Sequence, residues 1–279
     1  GIDPYELGQA PFALATSGSL RLTARELDLQ LHPAARVYLL PCIAGHVGAD
    51  AAAVALSEAP EKSKDLVLIV DVGTNAEIVL GNTTRVLACS SPTGPAFEGA
   101  QISSGQRAAP GAIERVEIDP VTKNARFRVI GSDLWSDDPA FDAATAATGI
   151  TGICGSAIIE VVAEMYLSGI ISEDGVVDGA MAEKSPRILQ NGRTFSYLLH
   201  DGEPRITVTQ NDIRAIQLAK SALYAGIKLL MEKQGVDHVD TIRFAGAFGS
   251  FIDPKYAMVL GLIPDCDLAE VKAVGNAAG

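Results

Sequence analysis

Short apolar runs bounded by glycine, proline and charge mark strands along this chain, and apolar residues recurring every third or fourth position mark helices. Residues 17–35 are polar, with a short helical signal over 23–29. Residues 36–40 (Arg-Val-Tyr-Leu-Leu) read as a strand stopped by Pro41, and 51–56 as an alanine-rich helix. After a charged loop over 58–64, the runs 66–70, 77–80 and 85–89 predict three sequential antiparallel strands. Residues 90–111, rich in Gly, Ser and Pro, predict a loop that enters a short helix. Runs 115–118 and 125–130 predict a second hairpin, and the acidic stretch 131–148 with Trp135 reads as an exposed excursion. A helix opens behind 149–156 and runs to about Leu167, with Ile158, Ile159, Val162 and Met165 facing the core. Short strands are expected within 170–205. Thr209 and Asp212 predict a capping box before a helix to Gln234 that Gly235 ends. A strand over 241–245, a glycine-rich turn and a helix from Pro254 follow. The end, 271–279, reads as a strand and a glycine turn of the kind that normally feeds a helix.

The junction of the first two hairpin strands carries the chemistry. Asp71 closes an apolar run, Gly73 lets a backbone approach closely, and Thr74 and Asn75 offer polar atoms before the next strand starts at Glu77. A turn of this composition can surround a phosphate with N–H and hydroxyl donors while the acid holds Mg²⁺ through water. The plain alternative is a β-hairpin with a polar tip, its acid satisfied by turn N–H groups. Two more glycine turns follow apolar strands, at 246–249 and 275–279.

A formal net charge of −12 argues against a nucleic-acid partner bound through a basic surface. Cys42, Cys89, Cys154 and Cys266 lie far apart with no Cys-x-x-Cys pair, so this sequence suggests neither a zinc site nor an iron–sulfur cluster. Scattered thiols fit a reducing cytoplasm. No apolar run is long enough to cross a membrane.

In chain order the turns resemble the actin/Hsp70/sugar-kinase (ASKHA, ribonuclease H-like) ATPase fold, an α/β architecture whose nucleotide lies between two lobes of mixed sheet with flanking helices. The wording resembles one family more closely. Leu-Pro-x-Ile-Ala-Gly-x-Val-Gly-Ala-Asp (40–50), Asp-Val-Gly-Thr-Asn-Ala-Glu-Ile (71–78), Gly-Pro-Ala-Phe-Glu-Gly-Ala (94–100), Ala-Pro-Gly-Ala-Ile-Glu (109–114), Gly-Ile-Cys-Gly-Ser (152–156), Ala-Gly-Ala-Phe-Gly (245–249) and Val-Gly-Asn-Ala-Ala-Gly (274–279) together resemble the C-terminal domain of the RACo/RamA-like proteins. These are ATP-dependent reductive activators of corrinoid proteins, with a ferredoxin-type [2Fe-2S] domain ahead of the ATPase domain. The resemblance spans roughly residue 36 to the end.

What the resemblance implies can be placed on residues. Residues 1–64 would be the tail of lobe one with its connecting helix, and 65–279 lobe two. Asp71 would hold Mg²⁺ through water, and Gly73, Thr74 and Asn75 would meet the phosphates. Gly246, Ala247 and Gly249 would form the adenosine wall, and Glu98 would contact ribose or phosphate-bound water. Asp50 would orient the attacking water; its plain alternative is the N-cap of the helix from Ala51. For Glu98 the alternative is first-turn placement at the positive end of a helix. Cys154 reads as a small packed thiol. The implied cofactors are ATP and Mg²⁺, with the [2Fe-2S] cluster in a domain ahead of this sequence. The implied partner is a corrinoid protein or corrinoid methyltransferase, with room for a homodimer. The first phosphate turn of the fold has no counterpart in these residues, so the chain is expected to be a fragment without ATPase activity of its own. Two rival readings are a small-molecule kinase of the same superfamily and a non-enzymatic, actin-like nucleotide-binding scaffold.

Overall fold

The structure is a computed structural model that describes residues 5–279. Strands β1 (Leu20–Thr23) and β2 (Arg36–Leu39) pair antiparallel as a separate ribbon. The helical signal at 23–29 is not realised: Thr23 ends a strand and the following residues form turns, since so short a segment cannot offset the cost of helix nucleation. Helix α1 (Ala49–Glu58) starts two residues earlier than expected, with Gly48 at its N-cap.

The central sheet follows. β3 (Val67–Val72), β4 (Ala76–Gly81) and β5 (Val86–Ser91) form the expected antiparallel hairpins. The run Val67-Leu68-Ile69-Val70 is buried on both sides. Leu68, Val70 and Val72 face the main core, whereas Val67 and Ile69 face a smaller cluster capped by Val54 of α1. That two-sided burial explains an apolar run without alternation.

Residues 92–209 are inserted between β5 and the long helix. They hold the hairpin β6 (Ala112–Ile118) and β7 (Ala125–Val129), the short helix α2 (Phe141–Thr145), the two-residue β8 (Gly152–Ile153) and helix α3 (Gly155–Leu167). The ribbon β9 (Ile188–Asn191), β10 (Thr194–His200) and β11 (Ile206–Thr209) completes the insertion. The stretch 131–148 is only partly an excursion: Phe141 and Thr145 are buried, and Trp135 lies over Arg126 and Arg128.

Helix α4 (Gln210–Gln234) begins with the predicted capping box and ends at Gly235 in the left-handed conformation. Its Gly226 lies so close to the sheet that a Cβ would come within 2.3 Å of Ser91 Oγ. β12 (Thr241–Ala245), the one-turn α5 (Gly246–Gly249), α6 (Pro254–Val259) and β13 (Val271–Gly275) close the chain. β12 pairs parallel to both β3 and β13, giving the order β13-β12-β3-β4-β5. The C-terminal ends of β3 and β12 therefore open side by side.

Candidate nucleotide site

Parallel pairing sets Asp71, next to the end of β3, beside Ala245, the last residue of β12. The turn leaving β12 passes directly over the carboxylate. Gly246 has φ +84°, and a Cβ there would lie 2.3 Å from Asp71 Oδ1, so only glycine fits. Antiparallel pairing sets Glu77 directly opposite Asp71. Like charges in that position repel. Burial, and then Asp50, raise the Asp71 carboxyl above its ordinary range. Burial also raises Glu77; the Ser90 hydroxyl, 3.1 Å away, opposes this, while Asp50 and Asp71 push it further up. Among the described residues no hydrogen bond reaches the Asp71 side chain. The turn N–H groups that would satisfy a purely structural acid do not do so here.

The turn itself is braced from behind. Gly73 N–H donates to the Asn75 carbonyl at 3.1 Å and Gly94 N–H to the Thr74 carbonyl at 2.8 Å. Thr93, buried, directs its hydroxyl at the carbonyls of Gly73 (2.7 Å) and Thr74 (3.0 Å). With these carbonyls held back, Thr74 and Asn75 remain exposed at the tip. The Thr74 hydroxyl donates to Glu98 Oε1 at 2.9 Å, joining the turn to the 3₁₀ turn Pro95–Glu98.

A cleft of about 550 Å³ lies beside this turn. Its walls include Glu98, Arg107, Ala247 and Phe248, with Cys154 and Ser156 at the N-terminus of α3. Its position follows from two anchors. Buried Asp212 accepts from the N–H and hydroxyl of Ser103, and Gln106 N–H donates to the Ile153 carbonyl. Together they fix the loop between Glu98 and Arg107 against α4 and β8. Apolar walls with a few polar groups and a helix N-terminus suit a ligand that joins a flat base to an anion.

Of the sequence-derived candidates, Glu98 and Ala247 line the cleft. Thr74 is joined to it through Glu98, Gly246 lies against Asp71, and Asp71, Gly73 and Asn75 belong to the neighbouring turn without lining it. Gly249 is buried against Phe244 and does not line the cleft. Asp50 is exposed in the first turn of α1 rather than at its N-cap, and its Oδ1 accepts from Ala51 N–H at 2.8 Å. Cys154 is buried, with its sulfur 3.3 Å from the Ser156 hydroxyl, as a packed thiol should be. Sequence reasoning passed over Glu77, Thr93, Arg107 and Phe248. Glu77 had a usable signal, because a hairpin centred on Thr74 must pair positions 71 and 77.

Among the described residues no group of three or more His, Cys, Asp or Glu is gathered tightly enough to hold a metal ion by itself. The carboxylates of Asp71 and Glu77 are nonetheless hard oxygen donors of the kind Mg²⁺ takes when phosphates and water complete its shell. No helix among them is long and apolar enough to cross a membrane.

Comparison with known proteins shows the family of the chain. Residues 65–279 match the family model described as the C-terminal domain of RACo, the ASKHA domain, and residues 1–62 match the RACo middle region. The chain is 33% identical to the corrinoid activation enzyme RamQ of Eubacterium limosum over 290 residues, covering 100% of this chain and 46% of that protein. It is 31% identical to a [Co(II) methylated amine-specific corrinoid protein] reductase of Methanosarcina barkeri, covering 80% of this chain and 39% of that protein. A solved reductive activator for a corrinoid, iron–sulfur protein superposes with a TM-score of 0.81 at 30% identity, over 99% of this chain and 42% of that one. The chain thus spans less than half the length of the relatives it matches. ASKHA domains bind ATP and Mg²⁺, and by these matches the chain belongs to the family of the RACo C-terminal ASKHA domain.

Proposed function

We propose that this chain is the ATP-binding and hydrolysing part of a [2Fe-2S] protein that reductively activates a corrinoid protein, taking cobalt(II) to cobalt(I). The observation that carries the reading is the Asp71–Glu77 pair, two half-buried carboxylates set opposite each other on the hairpin whose Thr74 hydroxyl bonds Glu98, a wall of the base-sized cleft. A Mg²⁺ ion held by Asp71 through water would offset their repulsion. Gly73, Thr74 and Asn75 would meet the phosphates, Gly246, Ala247 and Phe248 the adenosine, and Glu98 the ribose or a phosphate-bound water. Asp50 would orient the attacking water. Mg-ATP would supply the free energy that drives an uphill electron transfer to cobalt.

Residues 65–279 would be lobe two, and 1–64 the tail of lobe one with the connecting helix. The cysteines of this sequence are scattered, so the cluster would belong to a domain outside it. The partner would be a corrinoid protein or corrinoid methyltransferase in a reducing cytoplasm. The names of the relatives support this reading over the kinase and scaffold alternatives. The sequence holds one of the two phosphate turns the fold uses. Losing several charge-assisted hydrogen bonds, each roughly 1.5–3 kcal/mol, removes most of a micromolar affinity of about 8 kcal/mol. The chain alone should therefore bind Mg-ATP weakly and not hydrolyse it.

The test uses the full-length protein with a low-potential electron donor and a corrinoid protein, without oxygen. The cobalt(I) absorption band should grow only when Mg-ATP is added. Equal growth without ATP, or ATP hydrolysis with no corrinoid reduction, would contradict the reading.

A further inference from the structure

Helix α1 carries Asp50 in its first turn and Glu58 at its last position, and it is the second end that is tied down. Ile242 and Phe244 of β12 face the main core, whereas Ala245 joins Val54, Val67, Ile69 and Val79 in the smaller cluster under α1. Alternation along the strand puts Arg243 on that same face. Its Nη1 donates to the Glu58 carbonyl at 2.8 Å and to Glu58 Oε2 at 2.9 Å. The pair is mostly covered, with 27% of the Arg243 side chain and 14% of the Glu58 side chain exposed. Among the described residues these are the only hydrogen bonds that join α1 to the sheet. The other end has no such tie: Gly48 supplies no side-chain cap, and Asp50 accepts from its neighbour Ala51 N–H.

The consequence is mechanical. Glu58 lies about 12 Å beyond Asp50 along the helix axis, and Val54 lies midway between them. A rod held at Val54 alone can pivot, because one contact fixes a place and not a direction. A second fixed point at Glu58 sets the direction of α1, and with it the position of Asp50. That position matters, since Asp50 is close enough for its charge to act on both Asp71 and Glu77. We infer that Arg243 is a positioning residue for ATP hydrolysis: by clamping the C-terminal end of α1 to β12, it holds Asp50, at the other end, in its place near the Asp71–Glu77 pair. The inference rests on the nucleotide reading and adds to it a residue that does not line the cleft.

Steady-state Mg-ATP hydrolysis by the full-length protein tests it, with Asp71→Asn as the control for the nucleotide reading itself. Arg243→Met removes both bonds and should lower kcat about tenfold, since a displacement of about 1 Å can cost up to about a hundredfold. KM for Mg-ATP should stay within about twofold. Arg243→Lys should recover most of kcat, because both bonds come from one nitrogen and an ammonium can make both. In an Asp50→Asn background, Arg243→Met should cost no more than about twofold; a change that only weakened the fold would cost the same in both backgrounds. Glu58→Gln, which keeps the carbonyl bond, should cost about threefold and serves in place of Arg243→Met if that variant does not fold. Hydrolysis that is lost in Asp71→Asn but indifferent to the Arg243 and Glu58 exchanges overturns the inference and leaves the nucleotide reading standing. A loss in Arg243→Met that lysine does not rescue, or that persists in full without the Asp50 carboxylate, overturns it equally. Hydrolysis that survives Asp71→Asn overturns the nucleotide reading and the inference with it.

Discussion

The carboxylates of α3 and those of the β3–β4 hairpin are both withdrawn from water, and the fold treats them in opposite ways. Strand β8 pairs with β6 only at Ala112 and Ile113, so N–H groups further along that edge need other acceptors. Glu160 and Glu164 supply them. Glu160, 2% exposed, accepts from Val116 N–H at 2.9 Å and pairs with Arg115 at 2.5 Å. Glu164 accepts from Ile118 N–H at 2.9 Å and from the Tyr256 hydroxyl at 2.7 Å. In the hairpin, Asp71 has no hydrogen-bonding partner among the described residues and faces a second acid. A buried acid with both oxygens engaged by the fold is part of the scaffold. An acid left open beside a like charge is a candidate binding residue, and we propose that role for Asp71. The difference in partners, more than the depth of burial, separates architecture from site.

Stability measurements can break or sharpen that contrast. The largest effect should come from Glu164→Ala, which strands two buried donors at roughly 1–3 kcal/mol each. Denaturant unfolding should show a loss of about 3 kcal/mol; a loss below about 1 would mean that water replaces the carboxylate.

Glu160 gives a pH signature of comparable size. Burial pushes its pKa up to about 7 from 4.5, against the opposing pull of Val116 N–H and Arg115. A raised folded-state pKa means that the folded chain binds the extra proton. The stabilisation is complete below about pH 4.5 and is lost as the pH rises through about 7. The swing is on the order of 3 kcal/mol, and Glu160→Gln should flatten it in unfolding curves taken at several pH values. A wild-type profile already flat between pH 4.5 and 7 would count against the buried-proton account.

A smaller effect is expected for Thr93→Val, which keeps the shape of the side chain and removes the brace on the carbonyls of Gly73 and Thr74. The loss should be about 1 kcal/mol, with weaker Mg-ATP binding in the longer protein. An unchanged affinity would show that the turn holds its shape without Thr93. Smallest of all is the stability change for Asp71→Asn, within about 0.5 kcal/mol of wild type, because no hydrogen bond is broken and a repulsion is relieved.

The contrast also shows what was legible in the sequence. The hairpin was, because its strands, glycine turn and polar tip are local, and so was the capping box at Thr209 and Asp212. The glutamates of α3 were not. A helix with a stripe of Ile158, Ile159, Val162 and Met165 is expected to turn its acids to water, yet β6 and α6 cover the opposite side and bury Glu160 and Glu164 too. That arrangement depends on an edge left unpaired by a two-residue strand, which no local pattern announces. Arg107 escaped for a related reason: it joins the cleft because Asp212 and Ile153, far away in sequence, hold its loop.

The central claim is that Asp71 is kept for Mg-nucleotide and not for folding. Mg²⁺-dependent ATP hydrolysis by the full-length protein, wild type against Asp71→Asn, tests it most directly. A loss of about 100-fold or more is expected, corresponding to roughly 2.7 kcal/mol of transition-state stabilisation, with unfolding stability unchanged. Because Asp71 and Glu77 both titrate above their ordinary range, protons should compete with Mg²⁺, and wild-type activity should fall on the acid side at a higher pH than unperturbed carboxylates would give. Hydrolysis within a few-fold of wild type in Asp71→Asn would contradict the account and leave Asp71 as a turn residue.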